Sequence, residues 1–460
     1  MSTFDIIIMA AGQGKRMFSA RPKVLHAIAG VSMLEHVVNT ARQLSPATIY
    51  VVIGHEGARI QKELAHLPVQ WVWQTQTLGT GHAVLQALPS IPSARPVLIL
   101  SGDVPLIQYE TLQGLIHACS THPQSPHVLG LLLANHPEPA GFGRILRCDR
   151  GNIQSIMEEK DASPEQKKIQ EIYTGICYAL SDDLKRWLPM LTNDNAQKEY
   201  YLTAILEKAV QEAMPVVPFC AKNWFEIQGV NNKEQLQTQE RNLQARTARQ
   251  LMESGVTLMD ASRIDVRGTL TCENDVVIDL NTLFIGDVLV GENTYIGPHC
   301  VLTNTRIGKN CHIHPHSVLE DCVIGDDCSI GPFARLRTGT QLATGCKIGN
   351  FVETKKAHFA AQSKASHLSY LGDVTIGTEV NIGAGTITCN YDGVNKHQTV
   401  IEDGAFIGSD TQLVAPVTVG KNATIGAGTT LRKNAPADAL TLTETKQKTV
   451  HGWHRPMERS

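Results

Sequence analysis

The residues best suited to chemistry fall in two groups far apart in the chain. The first begins with Ala10-Ala11-Gly12-Gln13-Gly14-Lys15-Arg16-Met17, directly after the apolar run 5–9. A strand that ends in a Gly-rich turn before a helix points backbone N–H groups at a phosphate. The stretch is not a Walker A loop, because no Gly-Lys-Ser/Thr follows, and it lacks the third glycine of a dinucleotide fingerprint. Lys15, Arg16 and Lys23 place three cations beside it, which suits a polyphosphate whose charge grows during reaction. Read alone, the same residues also fit a tight turn with solvated basic side chains. Ser101-Gly102-Asp103 closes the apolar stretch 97–100. An Asp at such a strand end is a natural ligand for Mg²⁺ bridging substrate phosphates, and also a common turn former. Asn231 could give the same ion a second, neutral oxygen, or could cap the helix that follows it. The second group centres on His367, with Lys355 before it and Asn390-Tyr391 after it. Histidine is the side chain that exchanges a proton near neutral pH and so serves as a general base. In a chain with 18 histidines, one alone carries little weight.

Positioning the first group is the task of alternating strand and helix patterns. Residues 48–53, 71–73 and 97–100 read as strands, and 33–42 and 59–67 as helices. This alternation predicts a mostly parallel sheet with its site at the strands' carboxyl ends. Gln74 leads into Leu78-Gly79-Thr80-Gly81-His82, where two glycines allow a flat base or a sugar close approach to a helix start. Gly141-Phe142-Gly143-Arg144 and Met157-Glu158-Glu159-Lys160 flank a hairpin. Glu171-Ile172-Tyr173-Thr174-Gly175 precedes another strand, Gln197-Lys198-Glu199-Tyr200-Tyr201 opens a helix, and residues 227–232 close the domain.

The second group is embedded in a six-residue repeat. Ile401, Ile407, Leu413, Val419, Ile425 and Leu431 fall at every sixth position, as do Ile324, Ile330, Leu336, Leu342 and Ile348. The fourth residue after each is small, for example Cys328, Ala334, Cys346, Ala405 and Thr429. Neither a helix nor simple strand alternation has this period. A parallel β-helix does, with the aliphatic residue on the axis and the small one at a corner. The repeat is regular from about 290 to 431 and irregular over 256–290. It is interrupted twice, by a segment after Ile348 that reaches His367 and by one after Thr386 that holds Asn390-Tyr391. Loops leaving a rigid solenoid tend to carry function. Between the halves, 233–253 has sparse apolar residues (Leu236, Leu243, Ala248, Leu251), which predicts a largely exposed helix. The expected domains are 1–230, a helical linker 231–253, and 254–460.

With 460 residues, a formal net charge of −3 and a pI near 6.7, the chain is too long for one core and lacks the basic balance of a nucleic-acid binder. No transmembrane run or signal segment is apparent, which predicts a cytoplasmic protein without membrane insertion. The 11 cysteines form no CxxC pair and no zinc-spaced cluster, so most read as small buried residues in a reducing compartment.

Together, the AAGxGxRM stretch, Pro22-Lys23, the Leu78–His82 turn, Gly102-Asp103 and Gly229-Val230-Asn231-Asn232 resemble the nucleotide-sugar pyrophosphorylases. With the hexapeptide half added, almost the whole chain is similar to the bacterial bifunctional N-acetylglucosamine-1-phosphate uridyltransferase/glucosamine-1-phosphate acetyltransferase family. That resemblance implies a Rossmann-like α/β nucleotidyltransferase domain followed by a left-handed parallel β-helix. It implies acetyl transfer from acetyl-CoA to glucosamine-1-phosphate, then uridylyl transfer from UTP with release of pyrophosphate. The uridyl site would comprise Met9, Ala10, Ala11, Gly12, Gln74, Gly79, Thr80, Ser101, Gly102, Gly143, Glu158 and Tyr173, with Arg16 and Lys23 on phosphates and Asp103 and Asn231 on Mg²⁺. In the acetyl site His367 would be the base. Arg337, Lys355, Tyr370 and Asn381 would surround the sugar phosphate, and Ala384, Asn390, Tyr391, Ser409 and Ala427 would lie on the acetyl-CoA side. The family implies direct transfer without an acyl-enzyme, and a homotrimer. Three positions depart from its pattern: Tyr173 stands for the usual Asn, Ala204 for an Asp, and Glu444 for an Arg that meets CoA.

Overall fold

Asp5–Met9 is an interior strand of a nine-stranded mixed sheet, and nearly every side chain in it is buried. The computed structural model describes residues 3–444 and 446–456. The chain divides into two units, residues 1–243 and 244–460, and the boundary falls inside the helix Lys233–Glu253.

In the first unit, Pro96–Ser101 and Ile49–Ile53 flank Asp5–Met9 in parallel, and Gln70–Trp73 continues the sheet beyond Ile49–Ile53. On the other side Glu171–Leu180 runs antiparallel to Pro96–Ser101, followed by Leu129–Asn135 and Val216–Cys220. The hairpin Gly143–Arg147 and Ile153–Met157 attaches at Tyr173. The strand expected after Gly175 therefore already begins at Glu171. The central strands are apolar throughout because two separate hydrophobic clusters pack on the two faces of the sheet. The segment expected to open a helix at Gln197 is irregular instead. Its backbone bonds to another turn: Tyr200 N–H donates to Leu78 O and Gly81 N–H to Tyr200 O, both at 2.8 Å. The helix starts only at Ile205.

Among the described residues of the second unit the strands pair in parallel with partners one coil apart, and only an isolated bridge between Tyr391 and Lys396 is antiparallel. Ile313 pairs with Ile330, and Ile330 in turn with Ile348. This is a β-helix of hexapeptide repeats. The aliphatic residues of both six-residue runs are at most 4% exposed, as are the small residues predicted for the corners. One repeat could not hide its own side chain, so stacking supplies the core. Asn293, Asn310 and Asp327 turn one corner with positive φ, and their side chains form a ladder, with Asn310 Nδ2 donating to Asp327 Oδ1 at 3.1 Å. Short polar side chains tolerate that backbone and bond locally.

Two sequence expectations change here. The coils do not wait for residue 290: Ile264–Cys272 already pairs in full register with Thr282–Val290, and Val277 with Tyr295. The irregularity lay in the glycine signature, not in the backbone. The segment after Ile348 is also no insertion, since Ile348 pairs with Ala365 at the same spacing that joins Ile313 to Ile330. Lys355 and His367 lie on regular strands, Glu353–Phe359 and Lys364–His367. Only the second interruption lengthens a coil, where Ile376 finds its partner as far on as Ile401.

The helix Lys233–Glu253 is less exposed than its sparse pattern suggests. Leu243 packs with Ile28, Met33, Leu106 and Val230 of the first unit, and Gln239 donates to the carbonyls of Phe225 and Gln228. Ala248 and Leu251 join the β-helix core, and Gln244 makes a two-way bond with the backbone of Val266, both at 2.8 Å. Polar side chains that saturate backbone groups are buried without cost to satisfaction, and hydrophobic patterning cannot reveal them. No helix among the described residues is long and apolar enough to cross a membrane.

Candidate active sites

The first site lies where the parallel strands end. Gly102 N–H donates to Met9 O at 2.9 Å and Ala10 N–H to Val52 O at 2.8 Å, which fixes both turns at one sheet edge. Asp103 and Asn231, far apart in sequence, meet here because Val230 N–H donates to Asp103 O at 2.9 Å. Ser101 Oγ donates to Asp103 Oδ1 at 2.6 Å. Lys23 Nζ pairs with Asp103 Oδ2 and donates to Asn231 Oδ1 at 3.1 Å. Burial alone would raise the Asp103 carboxyl, but Lys23 and the Ser101 hydroxyl outweigh it and hold it below the usual range. The alternative capping role for Asn231 is filled by its neighbour: Asn232 Oδ1 accepts Gln235 N–H at 2.8 Å. The Asn231 side chain is thereby released toward Asp103.

The donor set can be tested against Mg²⁺. A carboxylate and an amide oxygen already converge on one cationic group, and both are hard oxygen ligands. Among the described residues no three His, Cys, Asp or Glu side chains gather as a metal cage. Two protein oxygens with substrate phosphates and water completing the shell is the arrangement Mg²⁺ favours. The residues fit the ion.

Three clefts open from this edge. One of about 440 Å³ is lined by Met9, Ala11, Gly12, Gln74, Gly79 and Thr80 among others. Gln74 is buried, and its Nε2 holds the turn through Gly79 O at 3.1 Å and His82 Nδ1 at 2.9 Å. A second, of about 190 Å³, shares Met9 and Thr80 and adds Gly143, Glu158 and Tyr173. Burial raises the Glu158 carboxyl, opposed by a 3.0 Å hydrogen bond from Thr203 Oγ1. Burial pushes the Tyr173 phenol well up, and its hydroxyl faces the Cys177 thiol in the core, away from solvent. The third, of about 500 Å³, takes in Arg16 and Asn231. The sequence-derived residues of the uridyl half thus surround one sheet edge. Ala204 stands at the start of the following helix, beside Thr203.

The second site runs along one corner of the β-helix. Asn350 and His367 are paired one coil apart, and the parallel register continues through the next three coils. Followed along that register, His367 stacks with Ala384, Ser409 and Ala427 on successive coils. Asp410 N–H donates to Ala384 O at 2.7 Å and Gly428 N–H to Ser409 O at 2.8 Å, which fastens the column. His367 Nδ1 bonds Asn350 Oδ1 at 2.7 Å, so Nε2 is left to act. On the neighbouring sheet, Arg337 Nη1 meets Glu353 Oε1 at 2.7 Å, Glu353 pairs with Tyr370, and Lys355 follows on the same strand. Gly372 makes room for Tyr370 and Asn390: a Cβ there would meet the Tyr370 hydroxyl at 2.5 Å and Asn390 Nδ2 at 2.9 Å. Asn381 pairs with Lys364 on the strand that carries His367. Tyr391, on the lengthened coil, is 59% exposed. Glu444 lies on the exposed tail beyond the last strand, Leu440–Thr441. Asn350 and Glu353 were missed from the sequence. Their only signal is a spacing of one coil from His367 and Tyr370.

Comparison with known proteins follows the same division. Residues 6–153 match the MobA-like NTP transferase domain, residues 266–358 the GMPPB C-terminal domain, and residues 398–433 the bacterial transferase hexapeptide (six repeats). The chain is 61% identical over 456 residues to the bifunctional protein GlmU of Legionella pneumophila, covering 99% of each chain. It is 51% identical over 456 residues to that of Cupriavidus pinatubonensis, with the same coverage. Among solved structures it is similar to a nucleotidyl transferase from Methanothermobacter thermautotroptrophicus, 19% identical, covering 54% of this chain and 100% of that one, with a TM-score of 0.37.

Proposed function

Because the chain belongs to the bifunctional GlmU family, we propose how its two units divide the synthesis of UDP-N-acetylglucosamine, a precursor of the bacterial cell wall. The chain is an enzyme with acetyltransferase and uridyltransferase activity, and the acetyl step comes first. In the β-helix, the amine of glucosamine-1-phosphate attacks the acetyl carbonyl of acetyl-CoA. His367 Nε2 takes the amine proton and passes it to the departing sulfur as the C–S bond breaks, so CoA leaves as the thiol. Asn350 holds the imidazole so that Nε2 faces the substrate. Arg337, Lys355, Tyr370 and Asn381 hold the sugar phosphate, while Ala384, Ser409 and Ala427 offer a smooth corner to acetyl-CoA beside Asn390 and Tyr391. No cysteine is required, because the transfer is direct.

In the sheet unit, a phosphate oxygen of N-acetylglucosamine-1-phosphate attacks the α-phosphorus of UTP. The bond to the β-phosphate breaks and pyrophosphate leaves. The attacking oxygen is already anionic, so the protein's work is orientation and charge stabilisation. Backbone from Ala10 to Gly12 and the Gly79–Thr80 turn take the nucleotide; Glu158 and the wall at Gly143 and Tyr173 take the sugar. Arg16 and Lys23 answer the phosphates. Asp103 and Asn231 would hold Mg²⁺, which supplies positive charge to the phosphate oxygens when bound. With the Tyr173 hydroxyl turned inward, the sugar subsite offers a ring where the family usually offers an amide.

The observation that carries this reading is the Asn350–His367 pair in line with Ala384, Ser409 and Ala427, because a mere scaffold needs no oriented imidazole in that column. The hexapeptide unit supports assembly of copies, which we take to be a trimer, acting on cytoplasmic substrates. The test is CoA thiol release from glucosamine-1-phosphate and acetyl-CoA without UTP. Steady release supports the C-terminal site. No release, with pyrophosphate still produced from UTP and N-acetylglucosamine-1-phosphate, would reduce the β-helix to a scaffold.

A further inference from the structure

Lys23 occupies the place between Asp103 and Asn231. Its side chain is 11% exposed and that of Asp103 is 18% exposed, so neither charge is bathed in water. Lys23 Nζ sits against Asp103 Oδ2 and 3.1 Å from Asn231 Oδ1, the same two oxygens assigned to the divalent ion. Two neighbouring groups are committed elsewhere: Asp103 Oδ1 accepts from Ser101 Oγ, and Asn231 N–H donates to Gln235 Oε1 at 2.7 Å. The position of Lys23 is itself built, since Gly14, with φ +61, lies where a Cβ would meet Lys23 Cβ at 2.7 Å.

We propose that Lys23 is a resident counter-cation for the two metal ligands and leaves them only when metal and nucleotide arrive together. The inference rests on the reading of Asp103 and Asn231 as metal ligands. Its logic is charge conservation in a poorly solvated place. A divalent ion entering alone would push an ammonium away from its carboxylate with no new partner, beside a like charge. When UTP enters with the ion, Asp103 exchanges one cation for another, and Lys23 exchanges a carboxylate for a phosphate. Neither group is stranded at any stage. Metal binding is thereby made conditional on nucleotide, and the same amine serves as placeholder and phosphate ligand in turn.

The test measures Mn²⁺ binding to the full chain by electron paramagnetic resonance of the free ion, with and without UTP. Without nucleotide, the wild-type protein should hold Mn²⁺ weakly and Lys23→Met at least about tenfold more tightly; adding Asp103→Ala to Lys23→Met should return binding to the weak level. With UTP, wild-type affinity should rise at least about tenfold above that of UTP alone, and Lys23→Met should lose most of this gain. Equal nucleotide-free affinity in wild type and Lys23→Met overturns the proposal while leaving the metal ligands intact. If Asp103→Ala in the wild-type background leaves Mn²⁺ binding with UTP unchanged, the metal reading itself is wrong, and the proposal falls with it. Lys23→Gln, which keeps hydrogen-bond donors without the charge, takes the place of Lys23→Met if circular dichroism shows that variant unfolded.

Discussion

Asn350 Oδ1 accepts a 2.7 Å hydrogen bond from Nδ1 of His367, one coil further along the same sheet. A rigid ladder thus sets the tautomer of the candidate base. His367→Ala should lower CoA release by about 10²- to 10⁴-fold, the usual worth of a general base. Asn350→Ala should lower it by about tenfold or more, and both variants should still release pyrophosphate from UTP at the wild-type rate. If Asn350→Ala is silent in CoA release, the imidazole is oriented by something else.

Asp103→Ala should do the reverse. It removes one of two converging oxygens and leaves Lys23 without its carboxylate. Uridylyl transfer should fall by about 10³-fold or more, as expected when charge stabilisation of a phosphoryl transfer is lost, and CoA release should persist. Loss of both activities in a folded protein would contradict two independent sites.

Gly79 has φ +114, and a Cβ there would sit 2.7 Å from both backbone N and O of Tyr200. Gly79→Ala must therefore displace the 195–203 segment or the turn that Gln74 holds. A misplacement of this size near reacting groups costs about 100-fold in rate. Pyrophosphate release should show that loss, and titration with UTP should show weakened binding.

Both architectures were legible in sequence for physical reasons. Buried parallel strands such as Asp5–Met9 read as nearly unbroken apolar runs, and the six-residue step from Ile401 to Leu431, repeated from Ile324 to Ile348, outweighs a β-sandwich with chance spacing. What was hidden depends on long-range pairing. Asn231 and Asn232 are equivalent on paper, and only the bond from Gln235 N–H identifies Asn232 as the cap. The coil holding His367 looked broken because Thr354 and Ala365, and no large aliphatic residue, take the buried axis positions beneath Leu336 and Ile348. Asn350 carries no signal until the length of one turn of this solenoid is known.

Burial pushes the thiols of Cys119, Cys177 and Cys322 up to about 12. Cys220 is exposed, and Cys148, Cys272 and Cys389 are half-buried. Iodoacetamide at mildly alkaline pH should therefore label Cys220 first and reach the buried thiols only after unfolding, as read by mass spectrometry of peptides. Cys220 lies in the sheet unit, so its alkylation should leave CoA release unchanged.

Asp5 lies 1% exposed in an interior strand with Oδ1 unpartnered, and burial raises its carboxyl against the pull of Arg95 and the bond to Thr48. A raised folded-state value means that the fold prefers the neutral acid. The penalty is absent at low pH and appears as pH climbs through the raised value, so it is fully present at neutrality. Asp5→Asn should stabilise the protein at pH 7 by something of order 1 kcal/mol, with the advantage shrinking toward pH 4 in denaturant melts. An advantage that does not change with pH would assign the effect to packing.

The helix Lys233–Glu253 bears on how the protein can be divided. Leu243 completes one core and Ala248 and Leu251 another, so a cut that keeps both cores whole falls inside the helix and not at its ends. A fragment ending at residue 230 would bare Ile28, Met33 and Leu106, and one starting at 254 would lose Ala248 and Leu251; each buried Leu, Ile or Met is worth up to about 1.5–3 kcal/mol. The helix is a part of both folds and not a spacer, so truncation at either of its ends should cost stability before it touches chemistry.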